Sequence, residues 1–330
     1  MDDIGTAVVP DHPTILAVFG KAGRAPSVHN TQPWRWVFDG SRLHLYRDIS
    51  RRLTSADAQG RQLVISCGAI LDHVRTAFAA AGWHTDITRL PDTAADHLAI
   101  LDPRPWPDPP AEAEALTAAM DRRYTDRLPM LPPHDWDRIL GAAQDAARRH
   151  EISVEVLDES TRPRLAAASE RAAALRRYDP QYQNELRWWA GHDSPADGIP
   201  VSALVSEAEM AQVGVGRAFP AGPPSGRRDD ITDRSRLLVL GTDTDTERDW
   251  LRTGEALSAI LLECTVAGLS TCSLTHITEL PTSRRIVGGL LRRPALPQVL
   301  VRVGTTPSET EQPPTPRRAI TDFLDLHHTV

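Results

Sequence analysis

"QLVISCGAILDHVRTAFAAAGW", residues 62–83, and "WLRTGEALSAILLECTVAGLS", residues 250–270, decide the fold when they are laid over one another. From Gly68 to Gly82 and from Gly254 to Gly268 is 14 positions each. With the glycines aligned, Leu71, Val74 and Phe78 fall in phase with Leu257, Ile260 and Cys264. In the first run Ile70, Val74, Ala77, Phe78 and Ala81 share one helical face, and Gly82 suits the residue that ends such a helix.

The same order of elements surrounds both runs. Before the first, "HPTILAVFGKAG" (12–23) has helical spacing, and "WRWVFDGSRLHLY" (34–46) reads as a hairpin with Asp39-Gly40 at a two-residue turn. "HLAIL" (97–101) follows as a short buried strand. Around the second run, "AEALTAAM" (113–120) and "HDWDRILGAAQDAARR" (134–149) are helical, and "ISVEVL", "RLLVLGT" and "QVLVRVG" are strands. The pattern predicts an α+β chain of two tandem halves, 1–110 and 111–330. They are joined through "DPRPWPDPP" (102–110), whose prolines leave no room for a helix or a central strand and suit a stiff linker or crossover.

Residues 159–235 depart from the repeat. The first half has a short connection between its hairpin and its long helix; the second has this long stretch instead. Such a segment in a compact domain reads as a lid or binding loop, and Tyr178, Tyr182, Trp188, Trp189 and Phe219 argue against disorder.

With 330 residues, 41% hydrophobic and 25% charged, the chain can bury a full core. A net charge of −7 argues against a nucleic-acid partner. Lys21 is the one lysine, so any small-anion site is built from guanidinium forks. Cys67, Cys264 and Cys272 form no CxxC pair, which fits a reducing cytosol. The acidic start is no signal peptide, and "ALSAILLECTVAGL" is too short to span a bilayer. These features predict a cytoplasmic chain with no membrane partner. No Rossmann glycine pattern, P-loop, GxSxG or HExxH occurs, and the terminal His327–His328 pair has no partner at metal spacing.

Four stretches carry chemistry. "RAPSVHNTQPWRW" (24–36) concentrates hydrogen-bonding side chains before the first strand. "RRYTDR" (122–127) sets arginines around a threonine, "LSTCSLTHI" (269–277) follows the second long helix, and "TPRRAI" (315–320) puts two arginines near the C-terminus. Each has a plainer reading: a capped loop, a solvated helix end, an ordinary connection, a surface tail. Trp188 and Trp189 read as packing residues, His29 as a core or surface histidine with no carboxylate to make it a base, and Cys272 as a small buried residue.

Together and in this order, the four resemble the motifs of the FMN-dependent nitroreductase superfamily, over essentially the whole chain. "APSVHNTQPW" is similar to its A-P-S-x-x-N-x-Q-P-W loop and "RRYTDR" to its R-x-S/T-x-R/K element. The tandem halves and "ELRWWAG…DGIP" resemble the actinobacterial Acg-type branch. Each half lacks what the other keeps, so the resemblance implies an intramolecular pseudo-dimer, monomeric in that sense, with one composite FMN site and an inserted lid. It implies that Arg123, Thr125 and Arg317 hold the phosphate. Thr315 stands where the family has a lysine, and Arg318 or Arg122 would compensate. It implies Arg127 beside N1 and the C2 carbonyl of the reduced ring, and Pro26, Ser27 and Asn30 along the ring's polar edge, with Gln32 in support. The Thr275 and His276 backbone would reach N5, and the flavin would carry the reaction with no catalytic side chain. Two readings of function follow: an oxidoreductase passing electrons from NAD(P)H to a nitroaromatic, quinone or similar acceptor, or a protein that binds and sequesters free FMN beneath a fixed lid.

Overall fold

The computed structural model describes residues 8–91, 95–191, 194, 196–223, 227–307 and 315–326. The first half runs α1 (His12–Ala22), β1 (Trp34–Phe38), β2 (Leu43–Arg47), α2 (Arg61–Ala80), β3 (Trp83–Arg89) and β4 (His97–Pro105). Next come α3 (Ala113–Arg122), α4 (Trp136–Arg148), β5 (Ser153–Val156), α5 (Arg162–Arg176), α6 (Pro180–Trp189) and α7 (Glu207–Val213). The chain finishes with β6 (Arg236–Thr242), α8 (Glu247–Val266), β7 (Ser270–Leu274), α9 (His276–Glu279), α10 (Pro281–Gly288), β8 (Leu296–Gly304) and β9 (Leu324–Leu326).

The strands form two sheets, ordered β3-β4-β2-β1-β9 and β5-β6-β8-β7. Matching each strand of the first half to the fourth strand after it turns β3-β4-β2-β1 into β7-β8-β6-β5. The second sheet therefore repeats the first, read from the opposite edge. The repeat reaches the helix pair. α2 and α8 cross where Gly68 faces Gly254: a Cβ on Gly68 would collide with the Leu251 carbonyl, and one on Gly254 with the Ile65 carbonyl. Each clash partner lies three residues before the opposite glycine, so the crossing is two-fold symmetric in its contacts. Gly82 and Gly268 end their helices with φ of 79° and 75°, the left-handed region that glycine enters without a Cβ penalty.

One core cluster packs α1 and α2 on the first sheet around Trp34, Trp36, Phe19 and Phe78; another packs α4 and α8 on the second around Ile139, Ile260, Leu261 and Val301. The first core also takes Ala119 and Met120 from α3 and Phe323 and Leu324 from the chain end, and β9 pairs parallel with β1. Segments that follow the first half in sequence thus complete its sheet and core.

Several expectations need correction. The hairpin turn is centred on Gly40-Ser41, one residue later than read, because Asp39 and Arg42 already pair across it (Asp39 N to Arg42 O, 3.1 Å) and Gly40 takes the positive φ, 97°. The proline-rich stretch is strand as far as Pro105. The Trp106 N–H bonds to the Gly82 carbonyl and the Leu90 N–H to the Leu98 carbonyl, so even-numbered residues of β4 face β3. Pro103 and Pro105 turn their missing donors to the other side, beyond the last β2 partner, Leu101. Residues 159–235 are not mainly irregular: α5, α6 and α7 lie within them. They sit between β5 and β6, in the place of the tight turn joining β1 to β2, and not between hairpin and helix. "LSTCSL" is likewise largely strand, β7. By length and composition α2 is apolar enough to cross a bilayer, which the sequence reading overlooked, but 83% of its most apolar window is buried in the protein, as a core helix requires.

Candidate active site

The polar loop, α2, the "RRYTDR" element, the end of β7, the inserted segment and the chain end enclose one cavity. Local sequence places each contributor. The 3₁₀ turn Val28–Asn30 puts His29, Asn30 and Gln32 at φ of 48°, 57° and 47°, conformations that aim their side chains away from a regular path and cost energy unless held. The Ser27 hydroxyl accepts the Gln32 N–H at 3.0 Å, and Ser66 on α2 accepts the Val28 N–H at 3.1 Å. The Arg123–Arg127 stretch is fixed to β7 by Asp126 N–H to the Thr271 carbonyl, 2.9 Å. Behind it Arg302 donates to the Leu128 carbonyl and grips Asp233, both fully buried.

Pro26, Ser27, Asn30, Arg123, Thr125, Arg127, Thr275, His276 and Arg317 all line this cavity, as does Thr315. Asn30 and Arg123, far apart in sequence, therefore line a common cavity. Gln32 lies behind the lining. Its amide donates to the Ala196 carbonyl at 2.8 Å, and its oxygen accepts the Arg318 N–H at 2.9 Å. The compensating roles given to Arg122 and Arg318 do not match their positions. Arg122 is exposed at the end of α3. Arg318 spends its guanidinium on the Gln32, Trp34 and Asp322 carbonyls, tying the chain end to the first sheet. The Asn30 amide donates to the Gly198 and Pro316 carbonyls at 2.9 and 3.0 Å, so its nitrogen pins the surrounding segments. His327 and His328 lie outside the described residues.

Charge distinguishes the cavity. Its lining holds Arg123, Arg127, Arg217, Arg302 and Arg317 and no Asp or Glu among the described residues, in a chain of net charge −7. Arg302 is neutralised by Asp233 and Arg217 by Glu279. Among the described residues the other three have no carboxylate partner. Arg123 is 6% exposed; it donates to the Arg24 carbonyl at 3.3 Å and its Nε has no partner. Arg317 donates to the same carbonyl at 3.0 Å, and its Nε is also unpaired. Burial, with Arg24 alongside, lowers the Arg123 guanidinium to about 10; burial with Arg123 and Arg24 lowers Arg317 to about 9. Two interior cations with spare donors and no counter-ion are costly. They fit a bound anion.

Other lining residues had no part in the expected site. His29, Arg217 and Phe219 complete the wall facing Arg127. Arg217 and Phe219 come from the inserted segment, whose contacts no local pattern encodes, and a loop histidine without a nearby carboxylate looks inert in sequence. Burial, helped by Arg217 and Arg127, holds His29 well below the usual histidine range. The inserted segment is latched over the polar loop: Arg51 pairs with Asp197, and Asn30 and Gln32 hold Gly198 and Ala196. Trp189 lies under the Arg51 guanidinium, whereas Trp188 is 73% exposed.

No family model matches the sequence. Similar curated proteins come from Mycobacterium tuberculosis. One named "Putative NAD(P)H nitroreductase acg" is 45% identical over 309 residues, covering 92% of this chain and 93% of the relative. "Putative NAD(P)H nitroreductase Rv3131" is 36% identical over 324 residues, covering 96% and 92%. Among solved structures, the FMN-dependent nitroreductase NfnB of Mycobacterium smegmatis, in complex with NADPH, aligns at 14% identity with a TM-score of 0.38, over 64% of this chain and 96% of that one. A nitroreductase-named protein of Anabaena variabilis aligns at 9% identity with a TM-score of 0.44, over 92% and 93%. On the strength of the curated relatives, this chain belongs to the Acg-type family of the nitroreductase superfamily.

Proposed function

We propose that the cavity binds FMN and that the protein is an NAD(P)H-dependent oxidoreductase acting on nitroaromatic, quinone or similar acceptors, its two halves forming an intramolecular pseudo-dimer around one site. The observation that carries the reading is a pair of carboxylate-free guanidinium groups, Arg123 buried and Arg317 partly buried, whose enclosed and unpaired Nε atoms suit a phosphate dianion. Thr125 lies on the same lining and would add a hydroxyl donor. Pro26, Ser27 and Asn30 would border the ring, with Gln32 holding their loop in shape. Arg127 would place positive charge beside the pyrimidine edge, favouring the reduced form. The backbone at Thr275 and His276 would close the opposite edge. FMN bound there supplies two-electron transfer, and the chain's part is to bind, orient and exclude water.

A second reading, sequestration of FMN with little turnover, is favoured by the latch. Polar links hold the inserted segment down, among them the Arg51–Asp197 ion pair, the side-chain amide hydrogen bonds from Asn30 and Gln32, and the Glu185 carboxylate on the N–H groups of Ser55 and Ala56. Adding NADPH or NADH to the FMN-loaded protein without oxygen separates the two. Rapid bleaching of the flavin supports the oxidoreductase. Bleaching by dithionite alone supports sequestration. A chain that takes up no FMN ends both.

A further inference from the structure

His29 is 7% exposed, sits in left-handed backbone at φ 48°, and has no hydrogen-bond partner on either ring nitrogen. Its ring meets Phe219 edge-on, centroids 5.4 Å apart and planes at 69°. Arg127 lies over the same Phe219 ring at 5.3 Å, and its guanidinium makes one long hydrogen bond, 3.5 Å to the Ala203 carbonyl. The neighbouring groups do not satisfy this pair. Arg217 is occupied by Glu279, the Tyr182 hydroxyl and Thr275. His276 is engaged at Nε2 by the Ser169 hydroxyl, 2.7 Å away, which also lies 3.1 Å from the Gly216 carbonyl. Burial keeps the Cys272 thiol protonated beside Arg127.

We propose that Arg127, His29 and the Phe219 ring form a subsite for the carboxylate of a planar aromatic ligand. This deepens the oxidoreductase reading by naming the acceptor class, and it rests on that reading for the acceptor role alone. A guanidinium without a counter-ion in a closed cavity selects an anion, and its planar fork matches a carboxylate. His29 offers the second donor, and the Phe219 edge and face suit an arene. Oxidised FMN has a neutral ring, so with the flavin's pyrimidine edge beside it a neutral ligand would still leave the Arg127 charge unanswered. With the site empty, burial and the two arginines keep His29 neutral; a carboxylate placed against it favours the imidazolium. Binding therefore takes up a proton, and affinity rises as pH falls.

The test is calorimetric titration of the FMN-loaded full chain with p-nitrobenzoate and with the neutral p-nitrobenzamide. The carboxylate is expected to bind roughly tenfold tighter. The gap should widen from about pH 8 to about pH 6, with buffer-dependent heat reporting the proton. His29→Gln keeps a donor but cannot titrate, so its preference should be flat with pH. Equal affinities in the wild type, or a pH dependence that survives His29→Gln, would overturn the proposal. Flavin content is read on the same samples. A chain that takes up no FMN yet prefers the carboxylate keeps the subsite and ends the flavin reading. An FMN-loaded chain with no preference ends the subsite alone.

Discussion

At the scale of single residues, the decisive fact is an imbalance of charge. Arg123, buried, and Arg317, partly buried, lie beside Arg24, and no carboxylate among the described residues answers them. Arginines kept for stability would be paired, as Arg302 is with Asp233. Arg123→Met should therefore weaken FMN binding by at least about 10-fold, since charge-assisted hydrogen bonds are worth roughly 1.5–3 kcal/mol each. Its effect on urea stability should be neutral or a gain of about 1 kcal/mol, because an uncompensated interior charge is removed. A stability loss with unchanged flavin affinity would mean that the residue is structural. The motif reading picked out Arg123, Thr125, Arg127 and Arg317, because a fixed spacing in a resemblance carries over position by position. It also picked Arg122 and Arg318, one of them on the open side of a helix and the other turned onto backbone carbonyls. Adjacent arginines look alike in sequence, and only the backbone direction separates them.

At the scale of elements, the crossing of α2 and α8 is the most constrained contact. Gly68→Ala and Gly254→Ala each force a methyl group into opposing backbone, which has no rotamer to give. Each should cost about 3 kcal/mol or more, and the two costs should be similar because their contacts mirror each other. Gly141→Ala, on α4 with nothing within 4 Å of the new methyl, should instead stabilise by about 1 kcal/mol. Equal midpoints in urea for all three would refute the close approach. The inserted segment is an element of a different kind, held at the polar loop by charge and amides. Asp197→Ala removes its ion pair with Arg51. If the latch gates access, this variant should bleach several-fold faster with NADPH at unchanged FMN content; an unchanged rate would show that the latch does not control entry.

At the scale of the whole molecule, two sheets of like strand order are packed together with several buried histidines. Burial, with Arg123 next in effect, pulls His73 down to about 3; His29 and His276 are also pushed well below the usual range, chiefly by burial. In the unfolded chain these groups take up protons near pH 6.5. Between that value and their folded values the unfolded state binds more protons, so stability must fall as pH falls. Each neutral buried histidine adds a slope of about 1.4 kcal/mol per pH unit. Urea midpoints that stay constant from about pH 7 to about pH 5 would contradict this protonation pattern.

What could be read before folding was the recurring order of elements, the helix pair with its matched glycines and the four polar motifs. Periodicity, glycine spacing and motif order are local, so a chain shows them unfolded. The sequence did not determine that Pro103 and Pro105 continue a strand, since that depends on which edge of β4 has a partner. Nor did it place the inserted segment at the β5–β6 turn, or bring Phe219 and Arg217 against His29. Those facts belong to contacts between residues far apart in the chain. The packing that buries Arg123 and partly buries Arg127 and Arg317, none in an ion pair among the described residues, gives the cavity its positive charge, and desolvation gives that charge its force there.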